Sequence, residues 1–207
     1  MKKILFLFLF LPVVTFAQIE IVPFAGYMFG GSINYYQGKL KLDNGLDYGG
    51  SLIIPVKQVV SLELNYTHMS SELSFDAYPS YPLYSDDNAT TSTNYIQIGT
   101  IKDMTINNDK VTPFGSFSLG ATWYSSDSYT TAWFFSVTAG LGVKVMFSDR
   151  VGIMLRGRLM LPMMWGGTSA YYGFGTGGSG GGLTIDTYSS FVQGDFNGGL
   201  VFVLGNN

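Results

Sequence analysis

The segment VVSLELNYTHMSSELSF, residues 59–75, alternates apolar and polar side chains. Its clearest apolar positions are Val60, Leu62, Leu64 and Tyr66, and the residues between and after them are Ser61, Glu63, Asn65 and Thr67. Successive side chains of a β-strand point to opposite faces. The period of two therefore predicts a strand with one apolar face and one polar face.

Seven further segments follow the same rule. It is clear in residues 133–147 and 151–165, and weaker in residues 19–31, 47–56, 94–106, 111–124 and 188–204. Each of the eight segments is long enough to cross a bilayer as a tilted strand, which takes about 9–11 residues. An even number of antiparallel strands is typical of bacterial membrane barrels.

The links between these segments alternate strictly in length. The short links lie around residues 57–58, 107–109 and 148–150, and the long ones span residues 31–47, 76–93, 125–131 and 166–187. All the short turns therefore fall on one side of the sheet, together with both chain ends. We predict an all-β fold, an eight-stranded antiparallel up-and-down transmembrane β-barrel, with its short turns in the periplasm and its long loops outside the cell.

The start of the chain has the features of an export signal. Lys2 and Lys3 precede an apolar run at residues 4–14, and Ala17 ends a segment with small residues at the two positions that a signal peptidase reads. We expect residues 1–17 to be a signal peptide that is removed, and residues 18–207 to form one outer-membrane β-barrel domain.

The composition narrows the class of protein. Charged residues make up 12% of the chain, well below the roughly 25% of soluble domains. The absence of cysteine excludes disulfides and thiolate metal sites. A net charge of −3 without a basic stripe argues against nucleic-acid binding. No cofactor or metal is predicted. A soluble β-sandwich is the alternative, because periodicity alone does not separate an inner face from an outer one.

The two faces of the predicted strands carry different residues. Trp123, Trp133, Trp165 and Tyr66 share the apolar face at the long-loop end, as an aromatic girdle requires. The polar face places charges in the lumen, namely Glu63, Lys144, Arg156, Arg158 and Asp195. Buried charges need partners, so we expect the two arginines to pair with Glu63 and Asp195 and to plug the pore. An ion path or a substrate pocket is the alternative.

Several short motifs resemble the outer-membrane β-barrel domain family, the small OmpX- and OmpA-like barrels of Gram-negative bacteria. They are Pro23-Phe24-Ala25-Gly26-Tyr27, Asp47-Tyr48-Gly49-Gly50-Ser51-Leu52, Leu62-Glu63-Leu64-Asn65-Tyr66 and Pro113-Phe114-Gly115 with Leu119-Gly120-Ala121. The Ala-Gln end of the signal is similar to signal peptides of Bacteroidota. The resemblance implies contact with outer-membrane lipid and lipopolysaccharide. It also implies recognition by the barrel assembly machinery, with Phe202 as the closing aromatic residue, and it leaves any partner of the loops unknown.

His68, Ser70 and Glu72 share the parity of the apolar face at the loop boundary. They resemble the lipid A deacylase barrels, in which a histidine acts as base to a serine nucleophile; the simpler interpretation is a polar collar. We therefore expect a non-enzymatic surface protein whose loops between the third and fourth strands and between the seventh and eighth meet ligands. The alternatives are a lipid-modifying hydrolase using His68 and Ser70, and a narrow path for small apolar molecules as in OmpW-type barrels.

Overall fold

The computed structural model describes residues 18–34, 38–80, 87–104, 110–126, 131–175, 178–189 and 192–205. It does not describe the side chains of residues 33–34, 87, 164–175 and 178–189. The predicted signal peptide lies outside the described residues. Within the described part of the chain, no helix is long and apolar enough to span a membrane.

The described residues form eleven β-strands in chain order. They are β1 (Ile19–Phe29), β2 (Ser32–Asn34), β3 (Gly38–Leu42), β4 (Gly45–Lys57), β5 (Val60–Ala77), β6 (Asp87–Asp103), β7 (Val111–Ser126), β8 (Ala132–Met146), β9 (Val151–Gly175), β10 (Gly178–Ser189) and β11 (Gln193–Leu204). Eight of these, all except β2, β3 and β10, pair antiparallel with their neighbours, and β11 pairs back onto β1. The predicted eight-stranded up-and-down barrel is confirmed.

The long connections contain more strand than the sequence predicts. β5 continues to Ala77 and β6 already begins at Asp87, while β2 and β3 form a hairpin that joins the far end of β5. β9 continues to Gly175 and pairs with β10. The prediction of loops over residues 31–47, 76–93 and 166–187 was therefore wrong in large part. Antiparallel pairing satisfies backbone groups whatever the side chains are, so strands continue where the apolar alternation ends.

Burial separates the two faces of each barrel strand. On β5, Glu63 is 1% exposed and Leu64 is 48% exposed. Other barrel strands also place large apolar side chains on the outside, such as Ile98, Leu141 and Phe196. A soluble sandwich would bury these apolar residues and expose the charges. The polar face is therefore the inner face, as the barrel predicts.

Two apolar clusters occupy the lumen above and below a polar layer. The cluster toward the short turns contains Val22, Ile53, Ile101, Phe114, Met154 and Val201. The cluster toward the long connections contains Met28, Leu42, Met69, Tyr95 and Met160. An eight-stranded barrel has an interior just wide enough to be filled by side chains. The charged residues of the lumen are thus held between two apolar layers.

Candidate functional site

The first ion pair of the polar layer crosses the lumen from β9 to β5. Arg156 Nη1 donates to Glu63 Oε1 at 2.6 Å, and each side chain is 1% exposed. The hydroxyl of Ser51, on β4, donates to the same oxygen at 2.6 Å. The inward parity of all three residues brings them together, because strands on opposite sides of the barrel face each other across a narrow lumen.

The second ion pair joins two neighbouring strands. Arg158 and Asp195 are direct cross-strand partners on β9 and β11. Arg158 Nε donates to both carboxylate oxygens at 3.0 Å, and Nη2 also donates to Oδ2. Arg158 Nη1 donates to Asn65 Oδ1 at 2.9 Å, and Asn197 Nδ2 donates to Asp195 Oδ2 at 2.9 Å. This forked geometry is the strong form of a charge-assisted hydrogen bond.

An aromatic ring lies against both guanidinium groups. The Cζ atoms of Arg156 and Arg158 are 5.4 and 5.1 Å from the centre of the Phe24 ring. The ring fits because position 49 is glycine, where a Cβ atom would lie 2.8 Å from Phe24 Cζ. Cation–π contact stabilises the arginines where water does not reach them. Phe24 thus joins the two ion pairs into one layer.

Asp47 is a third carboxylate in this layer and has a different environment. It is 1% exposed, and neither carboxylate oxygen has a hydrogen-bond partner among the described residues. Its nearest cationic atom is Arg158 Nη2 at 3.9 Å, which Asp195 already holds. In the described part of the layer, two guanidinium groups therefore face three carboxylates, and Asp47 is the one without a donor.

Replacing Asp47 with asparagine is expected to leave the free energy of unfolding unchanged or to raise it by about 1 kcal/mol, because a buried carboxylate without a donor is costly. The matched substitution Asp195→Asn is expected to lower it by about 3 kcal/mol, since it leaves Arg158 without its bidentate partner. Urea titration of the refolded barrels in lipid vesicles measures both. Equal losses in the two variants would contradict the distinction between these carboxylates.

Lys144 lies in the lumen near the short turns, away from the two arginines. Its Nζ is 2.9 and 2.7 Å from the two carboxylate oxygens of Glu20. The sequence pattern did not predict Glu20 as a lumen residue. Both faces of residues 19–31 carry apolar side chains, so the alternation on β1 does not show which face points into the lumen. The pattern also missed Asp47, which stands where the strand 47–56 was predicted to begin.

The polar collar near the long connections is organised around Asn94. His68 and Asn94 are cross-strand partners, with His68 Nδ1 at 2.8 Å from Asn94 Oδ1. The Tyr66 hydroxyl donates to the same oxygen at 2.9 Å, and the Tyr48 ring lies 5.0 Å from that of His68.

Ser70 and Glu72 are exposed on the same face as His68, and their cross-strand partners are Ser92 and Thr90. The hydrogen bond of His68 thus runs to the next strand rather than to Ser70.

Aromatic residues continue this collar around the outer face. Trp123 and Trp133 are cross-strand partners whose rings stack at 4.8 Å, and Tyr66 lies 6.4 Å from Trp123. Trp133 is 64% exposed. The side chain of Trp165, predicted for the same girdle, lies outside the described side chains. Amphipathic rings at one height are typical of a membrane–water interface.

A closed barrel with apolar side chains outside and charges inside is the arrangement that lets strands cross a bilayer with every backbone group paired. Fold and lumen therefore define the class of small transmembrane β-barrels.

Comparison with known proteins agrees at the level of the fold. No protein-family model and no curated protein matches the chain. Among solved structures, Neisserial surface protein A (NspA) is 13% identical with a TM-score of 0.60, covering 90% of this chain and 97% of that one. The outer membrane protein OprG from Pseudomonas aeruginosa is 10% identical with a TM-score of 0.60, covering 93% and 99%. The chain has the fold of small outer-membrane barrels.

Proposed function

We propose that this protein is a non-enzymatic integral outer-membrane protein with a plugged lumen, whose strand extensions present a surface for interaction outside the cell. The observation that carries the proposal is the layered lumen. Ion pairs fill its middle, and apolar clusters lie on both sides of them. A path for ions or substrates would have to break these layers. Such a barrel serves as a rigid anchor in the membrane. The β2–β3 and β5–β6 extensions expose the polar and charged side chains that would contact a partner.

Those extensions are polar and contain charges of both signs. Lys41 Nζ lies 2.6 Å from Asp43 Oδ1 at the end of β3. The hydrogen bond to Asp43, and then the charge of that carboxylate, raise the pKa of Lys41. Glu72 and Asp76 are exposed on the neighbouring part of β5. This mixed surface suits a polar partner, such as a sugar, a protein or the headgroup region of lipopolysaccharide.

The plug predicts that the pure protein does not form discrete channels in planar lipid bilayers, because the lumen holds no continuous water column. Glu63→Ala with Arg156→Ala removes the pair that crosses the lumen but leaves both apolar layers in place, so it is expected to stay silent. A variant that also opens the two apolar layers, by Phe114→Ala and Met160→Ala, is expected to give small, measurable steps of current. Reproducible unit conductance in the unaltered protein, or silence of a folded variant with all four substitutions, would contradict the proposal.

A further inference from the structure

The outer face of the barrel carries a groove of about 950 Å³ that runs across β6, β7, β8, β9 and β11 to β1. Its floor is formed by small residues on the face turned away from the lumen, Gly115, Ala139, Gly157 and Gly194. Its walls are large apolar side chains, among them Phe117, Leu141 and Phe196, which are 51%, 68% and 69% exposed. The groove is therefore part of the apolar surface, and it is concave.

The register of the sheet explains the shape. One row of cross-strand partners runs from Lys102 through Gly115, Leu141 and Gly157 to Phe196. The adjacent row runs from Thr100 through Phe117, Ala139, Leu159 and Gly194 to Phe29. Small and large residues alternate within each row and are offset between the rows. The spaces above the small residues of the two rows therefore join diagonally into one continuous groove.

The floor is open at Gly115, whereas at Gly157 the ring of Phe196 lies over it, with Cε1 2.9 Å from where a Cβ atom would stand. A Cβ atom at position 115 would meet Leu141 Cδ2 at 3.7 Å and Met104 Cε at 3.8 Å, which are ordinary van der Waals contacts. Five strand spacings of about 4.8 Å give the groove a length of roughly 24 Å. Because barrel strands tilt by about 45°, the cross-strand rows are inclined too, and this length covers roughly 17 Å of depth in the bilayer. That is about half of a hydrocarbon core about 30 Å thick, which is the depth that one acyl chain reaches.

The two ends of the groove differ in charge. Lys102 and Thr100 stand at the end nearest the short turns, and both are exposed on the outer face. None of the ion pairs between described residues involves Lys102. The other end, at Phe29, is apolar. A ligand that matches this gradient has an anionic head at the short-turn end and a long apolar tail.

We propose that the groove binds one glycerophospholipid, with its phosphate at Lys102 and one acyl chain along the glycine floor. The inference rests on the proposed function, because it requires the barrel to lie in a membrane. The single cation at one end favours a lipid over a second copy of this chain, since a two-fold contact would set this concave face against itself. The bound lipid would be held tightly enough to differ from the lipids that surround any barrel.

Native mass spectrometry of the whole barrel in mild detergent, titrated with dipalmitoyl phosphatidylglycerol, tests this directly. We expect the first lipid to bind about tenfold more tightly than the second, because only the first occupies the groove. Gly115→Leu and Ala139→Leu fill the floor independently and are expected to abolish that preference. Lys102→Gln is expected to weaken the first site about fivefold, as suits an exposed ion pair.

Matched controls use the same substitutions elsewhere. Gly50 is also on the outer face, and a Cβ atom there would lie 3.9 Å from its nearest contact, the Val22 carbonyl oxygen; Lys57 is an exposed lysine at the same end of the barrel. Gly50→Leu and Lys57→Gln should bind like the unaltered protein.

Three results would each overturn the proposal. They are equal affinities for the first and the second lipid, full lipid binding by both Gly115→Leu and Ala139→Leu, and a dimer that Gly115→Leu dissociates. Absence of the protein from outer-membrane fractions would instead refute the proposed function, which separates the two failures.

Discussion

Replacement of Arg156 with methionine is expected to lower the free energy of unfolding by about 3–5 kcal/mol, the usual cost of removing one partner of a buried ion pair. Glu63, which is 1% exposed in the unaltered protein, would keep only the hydroxyl of Ser51 as donor. Phe24 would lose one of its two cation–π contacts. Because most of the loss comes from the stranded carboxylate, the effect should exceed that of any exposed ion pair, such as Lys41 with Asp43.

The matched control removes both charges. Glu63→Leu combined with Arg156→Met is expected to recover most of the loss, since apolar side chains of similar volume often replace a buried pair at little cost. Urea titration of each refolded barrel in lipid vesicles, followed by tryptophan fluorescence, gives the three free energies. If the double variant were as unstable as the single one, packing around Arg156 rather than the charge of Glu63 would be the cause.

On strands whose two faces differ clearly in polarity, the sequence predicts the face of a charged residue but not its height in the barrel. Parity alone places Glu63, Arg156 and Arg158 on the inner face, and the structure finds all three there. It does not decide which arginine meets which carboxylate, because that depends on the stagger between β5 and β9, on opposite sides of the barrel. Arg156 meets Glu63, while Arg158 lies beside Asp195 through direct strand pairing.

The prediction was weakest where a strand lacks contrast between its faces or leaves the membrane zone. Glu20 stands among apolar residues of both parities, so its pairing with Lys144 had no signal in the pattern. The Ser- and Thr-rich start of β6 is held by backbone hydrogen bonds that its side chains do not reveal. His68 shows a third limit, because its partner Asn94 comes from the neighbouring strand and no spacing within one segment could identify it.

Substitution of Ile98 with arginine is expected to destabilise the membrane-inserted barrel by about 2–4 kcal/mol, the cost of a cation on the lipid face near the middle of a bilayer. Ile98 is 56% exposed on β6, between Asn94 at the aromatic collar and Asp103 at the short-turn end. In a protein surrounded by water, the same change at so exposed a position would alter stability by less than about 0.5 kcal/mol. The substitution therefore distinguishes lipid from water as the surroundings of the outer face.

Val56→Arg is the matched control, because Val56 is 64% exposed but lies at the end of β4 beside the short turn. The cost of a lipid-facing charge falls to about 0–1 kcal/mol near the interface. Urea titrations of both variants in phosphatidylcholine vesicles give the comparison. A large loss for Ile98→Arg alone locates the apolar zone at the middle of the strands, whereas small losses for both would place the outer face in water and remove the basis of the lipid groove as well.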